Sequence, residues 1–169
     1  MARRTPLPFD PIDEAARQWA LRWGAVEQMH AVTSLMRVQQ LMLAQLDEIL
    51  RPHGLTFARY EALVLLTFSR AGSLPLGKMG ERLQVHPTSV TSIVDRLAAA
   101  GLVVRRPHPE DGRAVLAEIT DEGRALVEAA THDLVEARFA IADTPEEDLR
   151  AISSLLKPVR RRAGDYEEH

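Results

Sequence analysis

Gly101 separates a helical run, Pro87 to Ala100, from five residues that read as a strand, Leu102-Val103-Val104-Arg105-Arg106. No linker intervenes. A glycine at that place takes the left-handed conformation that ends a helix and turns the chain back on itself. A second strand, Val115 to Ile119, follows Pro107-His108-Pro109-Glu110-Asp111-Gly112-Arg113, a connection dense in turn residues. Two strands so joined form a β-hairpin. A helix fused directly to a hairpin has few ways to bury Val90, Ile93, Val94 and Leu97, its apolar face at period 3.6, other than against the hairpin and neighbouring helices.

The surrounding pattern completes that unit. A compact helix, about Gly77 to Leu83, precedes the Pro87 helix across Gln84-Val85-His86, and Leu74-Pro75-Leu76 is short enough only for an edge strand or a linker. Further upstream, helices are expected from Asp10-Pro11 to Gly24, from Ala25 to Leu50 and from Thr56 to Ser69. Pro52-His53-Gly54 stops the second of these, and Thr56 is a plausible N-cap for the third. Downstream, Thr120 caps a helix running to about Ile141. Thr144-Pro145-Glu146-Glu147 starts the last helix, from about Pro145 to Arg162, with Leu149, Ile152, Leu155, Leu156 and Val159 facing inward and Pro158 as a candidate kink. The fold class is therefore mainly α with a small β-hairpin wing: a winged helix-turn-helix on a helical scaffold. By segment, residues 1–9 are expected to be disordered, 10–24 an extension helix, 25–54 and 120–162 a helical dimerisation region, 55–119 the winged helix lobe, and 163–169 a tail.

Composition narrows the function. The chain has no cysteine, which removes disulfides, cysteine-based zinc sites, iron–sulfur clusters and thiol redox chemistry. The N-terminus has two arginines but no apolar h-region, and the longest apolar runs are too short to span a bilayer. A cytoplasmic protein with no membrane role is expected. Net charge is −3 overall, yet Leu55 to Ile119 carries 8 Lys/Arg against 6 Asp/Glu, and the rest 13 against 18. A mildly basic middle between acidic flanks suits a nucleic-acid reader. No Gly-rich phosphate loop, G-x-S-x-G or H-E-x-x-H is present, so no catalytic residue is assigned and the protein is not expected to be an enzyme. The histidines His30, His53, His86, His108, His132 and His169 are scattered. A zinc site from His30, His53 and His132 could still assemble across a dimer, but solvation or capping is the simpler reading. No metal and no cofactor are assigned.

A three-turn helix fits the major groove of B-DNA, and a hairpin tip can reach an adjacent minor groove. Near the start of the Pro87 helix, Thr88, Ser89, Thr91 and Ser92 offer short hydrogen-bonding side chains where helix N–H groups also attract phosphate. Arg96 and Lys78 add charge at the edges. In the wing, Gly112 permits a positive φ and Asp111 can aim the Arg113 guanidinium at a narrow minor groove. Asp95 could orient Arg96.

Thr91-Ser92-Ile93-Val94-Asp95-Arg96-Leu97, Gly101-Leu102-Val103-Val104-Arg105-Arg106, Pro109-Glu110-Asp111-Gly112-Arg113 and LAEITDEG at Leu116 to Gly123 together resemble the MarR family of bacterial regulators. The likeness runs from about Ala25 to Val159. It implies an obligate homodimer built on the first long helix and the last two, paired winged helices on a pseudo-palindromic operator in double-stranded DNA, and repression relieved by a small ligand. Pro87 and Arg105 join the DNA-binding candidates on the same ground. The resemblance also implies an aromatic or anionic effector lodged between scaffold and lobe, which makes Met29, His30, Arg37, Phe57, Arg59 and Tyr60 candidate contacts. Trp19 and Trp23 resemble urate-type members, in which a tryptophan covers the ligand. Arg105 fits that group, but Glu61 stands where it has aspartate and Ile93 where it has arginine. Packing anchors are the other reading of the two tryptophans. The alternative function is a winged helix used as a protein–protein module without DNA. An apolar patch on the Pro87 helix would favour it; the Thr/Ser cluster does not.

Overall fold

The computed structural model describes residues 6–111 and 114–167 and divides into two compact units, Met1–Gln45 and Leu46–His169. Residues 1–5, Gly112, Arg113 and residues 168–169, and with them part of the N-terminal and C-terminal segment readings, lie outside the described residues.

In the first unit, Asp10 caps α1 (Pro11–Ala20), its carboxylate accepting from the Ile12 and Asp13 amides at 2.7 and 3.3 Å. Pro11 at the first helical position has no amide to leave unpaired. The helix stops at Ala20, short of the Gly24 expected from sequence. The Trp19 indole N–H explains the early turn, donating to the Gly24 carbonyl at 2.7 Å while the Trp23 ring meets its own edge-on at 4.8 Å. α2 (Val26–Leu50) follows, and none of its residues before Leu46 is buried.

The second unit starts with the last turn of α2 and a 3₁₀ turn, Arg51–His53, ended by left-handed Gly54. Next come α3 (Phe57–Phe68), β1 (Ser73–Pro75), α4 (Leu76–Leu83), α5 (Pro87–Ala99), β2 (Val103–Pro107), β3 (Val115–Ile119), α6 (Asp121–Glu136) and α7 (Glu146–Arg162). The strand order is β1-β3-β2, antiparallel throughout, with Ser73 opposite Glu118 and Val103 opposite Ile119. The Leu74 segment is thus a third strand, at an edge where Pro75 breaks no inner ladder. The core is Leu50, Leu63, Leu66, Met79, Val90, Val94, Leu97 and Leu134, each essentially inaccessible, roofed by Val103, Ala117 and Ile119 from the sheet.

Three further helix ends, in the second unit, differ from the sequence reading. Thr56 makes no capping bond to α3; the Asp47 carboxylate accepts from the Phe57 amide at 2.7 Å instead, while the Thr56 hydroxyl accepts from Arg59 Nε. Among the described residues, no side chain closes the start of α7, where Pro145 is the N-cap and Glu146, Glu147 and Asp148 face the positive helix end. The helix from Thr120 ends at Glu136, five residues before Ile141, and Arg138, Phe139 and Ala140 all have positive φ. An apolar stripe reports a face and not where hydrogen bonding stops, and no glycine or proline marks this break. α7 runs unbroken through Pro158, and its apolar stripe is not inward: Ile152, Leu155 and Val159 are exposed within the chain.

Thr120 does what its position promised, and more. Its hydroxyl accepts from the Gly123 amide at 3.0 Å and donates to the Gly101 carbonyl at 2.9 Å. Its own amide donates to the Leu102 carbonyl at 3.1 Å. One residue therefore ties the end of α5 to the start of α6. The approach is so close that a Cβ on Gly123 would lie 2.3 Å from the Leu102 carbonyl oxygen.

Candidate nucleic-acid interface

Gly101, at φ +74°, closes α5 with its amide on the Ala98 carbonyl, and the Leu102 amide reaches back to the Leu97 carbonyl. The chain thereby enters β2 without a spacer, and α5 is locked to the hairpin. Val90, Val94 and Leu97 are buried and Ile93 half-buried, so the opposite face of the helix is turned outward. Thr88, Ser89, Thr91, Ser92, Asp95 and Arg96 occupy it, all exposed, and Pro87, Thr88, Thr91, Ser92, Asp95, Arg96 and Ala99 form one continuous shallow surface. The sequence-predicted reading residues are thus brought together.

Their hydrogen bonds refine the assignments. The Thr91 hydroxyl donates to the Pro87 carbonyl at 3.1 Å, which leaves its lone pairs for an external donor. His86, read in the sequence as a solvated or capping histidine, is the N-cap: its Nδ1 accepts from the Thr88 amide at 3.3 Å and lies 3.1 Å from the Thr88 hydroxyl. The signal was the proline after it, since Pro87 at the first helical position makes His86 the capping residue.

Asp95 does not orient Arg96. It accepts from Arg105 of β2, which fastens the outward face of α5 to the hairpin. Arg105 is therefore partly spent inside the protein, and Arg106 likewise pairs with Glu118 on β3. Arg96 stands beside a cleft of about 210 Å³ lined by Thr56, Arg59, Ser92, Ile93 and Arg96. Arg59, expected at a ligand site, is thus placed beside α5, held by the Thr56 hydroxyl and the Gly54 carbonyl. Two guanidinium groups flanking two hydroxyls can grip phosphate oxygens. Lys78 on α4 is exposed.

In the hairpin connection, the His108 imidazole Nδ1 accepts from the Glu110 and Asp111 amides, both at 3.2 Å, and the Ala114 amide donates to the Asp111 carbonyl at 2.9 Å. These bonds shape the base of the turn. The tip residues Gly112 and Arg113, including the expected minor-groove probe, lie outside the described residues.

The remaining candidates are divided between the two units. His30 contacts the Asp13 carboxylate at 2.9 Å, Arg37 lines a cavity in the first unit, and the Met29 carbonyl accepts from the Thr33 hydroxyl at 2.8 Å. In the second unit the Phe57 and Tyr60 rings stand 6.0 Å apart, and the Tyr60 hydroxyl bonds Thr131 at 2.9 Å. Tyr60 borders a mostly apolar cavity of about 290 Å³ between α3 and α6, with Val64, Thr67, Phe68, Val127, Glu128 and Thr131. His53 sits 2.7 Å from the Asp133 carboxylate, with His132 on its other side at 3.6 Å. Asp133 is held below the usual carboxylate range, chiefly by the bond to His53, against a weaker upward push from desolvation. Among the described residues, no helix is long and apolar enough to cross a membrane.

The sequence profile of the MarR family matches residues 58–115, the segment that holds α3, the helix-turn-helix and most of the hairpin. The chain is 54% identical to Sco5413, a MarR family transcriptional regulator of Streptomyces coelicolor, over 86% of this chain and 100% of that one, with a TM-score of 0.80. A point mutant of Escherichia coli MarR, solved in complex with operator DNA, is 26% identical, with 80% of this chain and 98% of that one aligned and a TM-score of 0.69. The HTH-type transcriptional repressor MdtR of Bacillus subtilis is 32% identical over 80% of this chain and 88% of its own length. The matched segment includes the hydroxyl-lined helix and β2 of the hairpin to which it is locked, and the chain belongs to the MarR family of winged helix transcriptional regulators, not to an enzyme family.

Proposed function

We propose that this protein is a homodimeric repressor that holds a pseudo-palindromic operator through paired α5 helices and releases it when a small, mainly aromatic ligand binds. The observation that carries the DNA reading is the outward face of α5. Four hydroxyl residues lie at its N-terminal end, with Arg96 and Arg59 beside them, and among the described residues the helix exposes no large apolar side chain. That composition argues against a protein–protein module, which would present apolar surface there. MdtR, named as a repressor, and E. coli MarR in its operator complex support the same assignment.

Dimerisation is supported by apolar residues that one chain leaves uncovered. Val32, Leu35, Met36 and Leu43 on α2, and Ile152, Leu155 and Val159 on α7, are all exposed. Stripes of that size at helical spacing are characteristic of association faces. The cavity beside Tyr60 supports ligand release. It lies between α3, which carries the lobe, and α6, which leads away from it, so an occupant would act on the packing of those two helices.

The decisive experiment is selection of bound sequences from a random DNA pool, followed by titration of the selected site at rising salt. A two-fold symmetric site whose affinity falls steeply with salt is expected. Salt-insensitive binding, or no selected site, would overturn the reading. Small aromatic compounds added to the complex should then lower affinity, and a Val64→Trp variant, which fills the cavity, should resist them.

A further inference from the structure

His132, Asp133 and Glu136 stand together near the C-terminal end of α6, where each offers one ligand atom and these atoms all lie within 4.8 Å of one another. Residues three and four apart are neighbours on a helix surface, so Glu136 meets both Asp133 and His132. His53, in the 3₁₀ turn before α3, joins them through its Nε2, 2.7 Å from Asp133 Oδ2. The set is thus two imidazoles and two carboxylates, drawn from two elements of one unit. His30, the third histidine of the zinc set weighed from sequence, belongs to the other unit, where it meets the Asp13 carboxylate.

Spacing and charge both point to a cation. His132 Nδ1 is 3.6 Å from Asp133 Oδ1, too long for a hydrogen bond. It is close to the separation of about 3.4 Å between two ligand atoms that share a tetrahedral ion at about 2.1 Å. Asp133 is oriented by His53 through Oδ2, which leaves Oδ1 to an ion; metal-binding side chains are ordinarily braced in this way. Glu136 has no hydrogen-bond or ion-pair partner among the described residues, and the last turn of α6 holds no basic residue. Helix C-termini themselves carry partial negative charge, so two carboxylates gather there without a lysine or arginine to offset them. Arg138, the next cation along the chain, pairs with neither.

We infer that His132, Asp133 and Glu136 bind a divalent first-row transition ion such as zinc, with His53 as the outer partner that orients Asp133. An imidazole beside two carboxylates favours zinc, cobalt or nickel over magnesium and calcium, and water completes the coordination. His132 and Glu136 are exposed, so small side-chain rotations bring the three donors onto one ion. The site shares no residue with the Tyr60 cavity, and the inference stands whether or not the protein represses transcription.

The test uses the full chain, stripped with a chelator and dialysed. Calorimetry with zinc chloride should show saturable binding that magnesium and calcium chloride do not reproduce. His53→Gln should weaken it about 10–100-fold, the usual effect of removing an outer partner, and His132→Ala and Glu136→Gln at least as much. His30→Gln, in the other unit, should leave it unchanged. Cobalt chloride should give visible absorption bands displaced from those of the aqueous ion, and His132→Ala should lose them. No saturable zinc binding, magnesium or calcium bound as tightly as zinc, unchanged binding in any of the three site variants, or an equal loss in His30→Gln would each overturn the proposal. Because His132 and Glu136 are exposed, their variants should keep the wild-type melting temperature without metal, which separates lost ligands from lost folding.

Discussion

Asp95 on the outward face of α5 accepts from Arg105 on β2, so the helix proposed to read DNA and the strand that leads to the hairpin turn are joined by an ion pair. Both side chains are partly exposed, and an exposed pair contributes only about 0–1 kcal/mol to stability. Its consequence is geometric: it aligns two elements that, in the proposed reading, meet the same duplex. Asp95→Asn is expected to leave the urea midpoint almost unchanged while weakening operator binding by about 1–2 kcal/mol, within the range of a single positioning contact. Equal losses in stability and affinity would show that the pair serves folding only.

Arg59 and Arg96 flank one cleft beside α5. If both meet phosphates, Arg59→Ala and Arg96→Ala each weaken all sequences alike and reduce the slope of log affinity against log salt by about 1. Filter binding across a series of salt concentrations measures it. Arg113→Ala, in the wing, should cost about 1–3 kcal/mol and relax preference for narrow-groove sequence at the flanks.

The Thr120 junction makes a stability prediction. Thr120→Ala removes an N-cap acceptor and the bond to the Gly101 carbonyl, a loss of about 0.5–2 kcal/mol. Gly123→Ala should cost about 1–3 kcal/mol, because the added methyl meets the Leu102 backbone and not a side chain that can swing away. Urea unfolding of both variants tests the order; an alanine at 123 without cost would mean that α6 shifts freely from the sheet.

Leu155→Glu places a charge in the exposed apolar stripe of α7. The lobe's core contains no α7 residue, so folding should persist while the species sedimenting at twice the chain mass disappears. Operator affinity should fall with it, since paired half-sites require paired lobes. A dimer that survives the glutamate would exclude this face as the interface.

Acid should weaken the protein partly through Asp133. Its carboxyl is held below the ordinary value, about 3.9, mainly by the hydrogen bond with His53. A carboxylate with a depressed folded-state pKa stabilises the fold above its unfolded value, and that contribution disappears as pH falls through the folded one. The wild type should therefore lose more stability than Asp133→Asn between about pH 5 and pH 2. Parallel urea midpoints for the two proteins across that interval would contradict it.

Much of this architecture was written locally. Pro87 and Gly101 bound α5 by backbone chemistry, Asp10 and Thr120 cap by short-range hydrogen bonds, and the period of Val90, Val94 and Leu97 named the buried face, and therefore the exposed Thr/Ser face. Such signals need only a few neighbouring residues, so sequence alone suffices. What tertiary structure decided is every pairing over distance. Asp95 chose Arg105 over Arg96, Asp47 replaced Thr56 as a cap, and Arg59 came to rest beside Ser92 and Arg96. Ladder pairing likewise turned the Leu74 segment into a third strand. The end of α6 at Glu136 and the hollow between the Leu7–Ile12 segment and Arg37 also belong to this class. Each depends on which surfaces meet once the core closes, and side-chain periodicity carries a direction around a helix but no address for the partner. The helix-to-hairpin junction at Gly101 was legible because glycine, cap and strand are contiguous. How Arg105 braces it was not, because Arg105 and Asp95 belong to different elements and meet only when the hairpin folds back on α5.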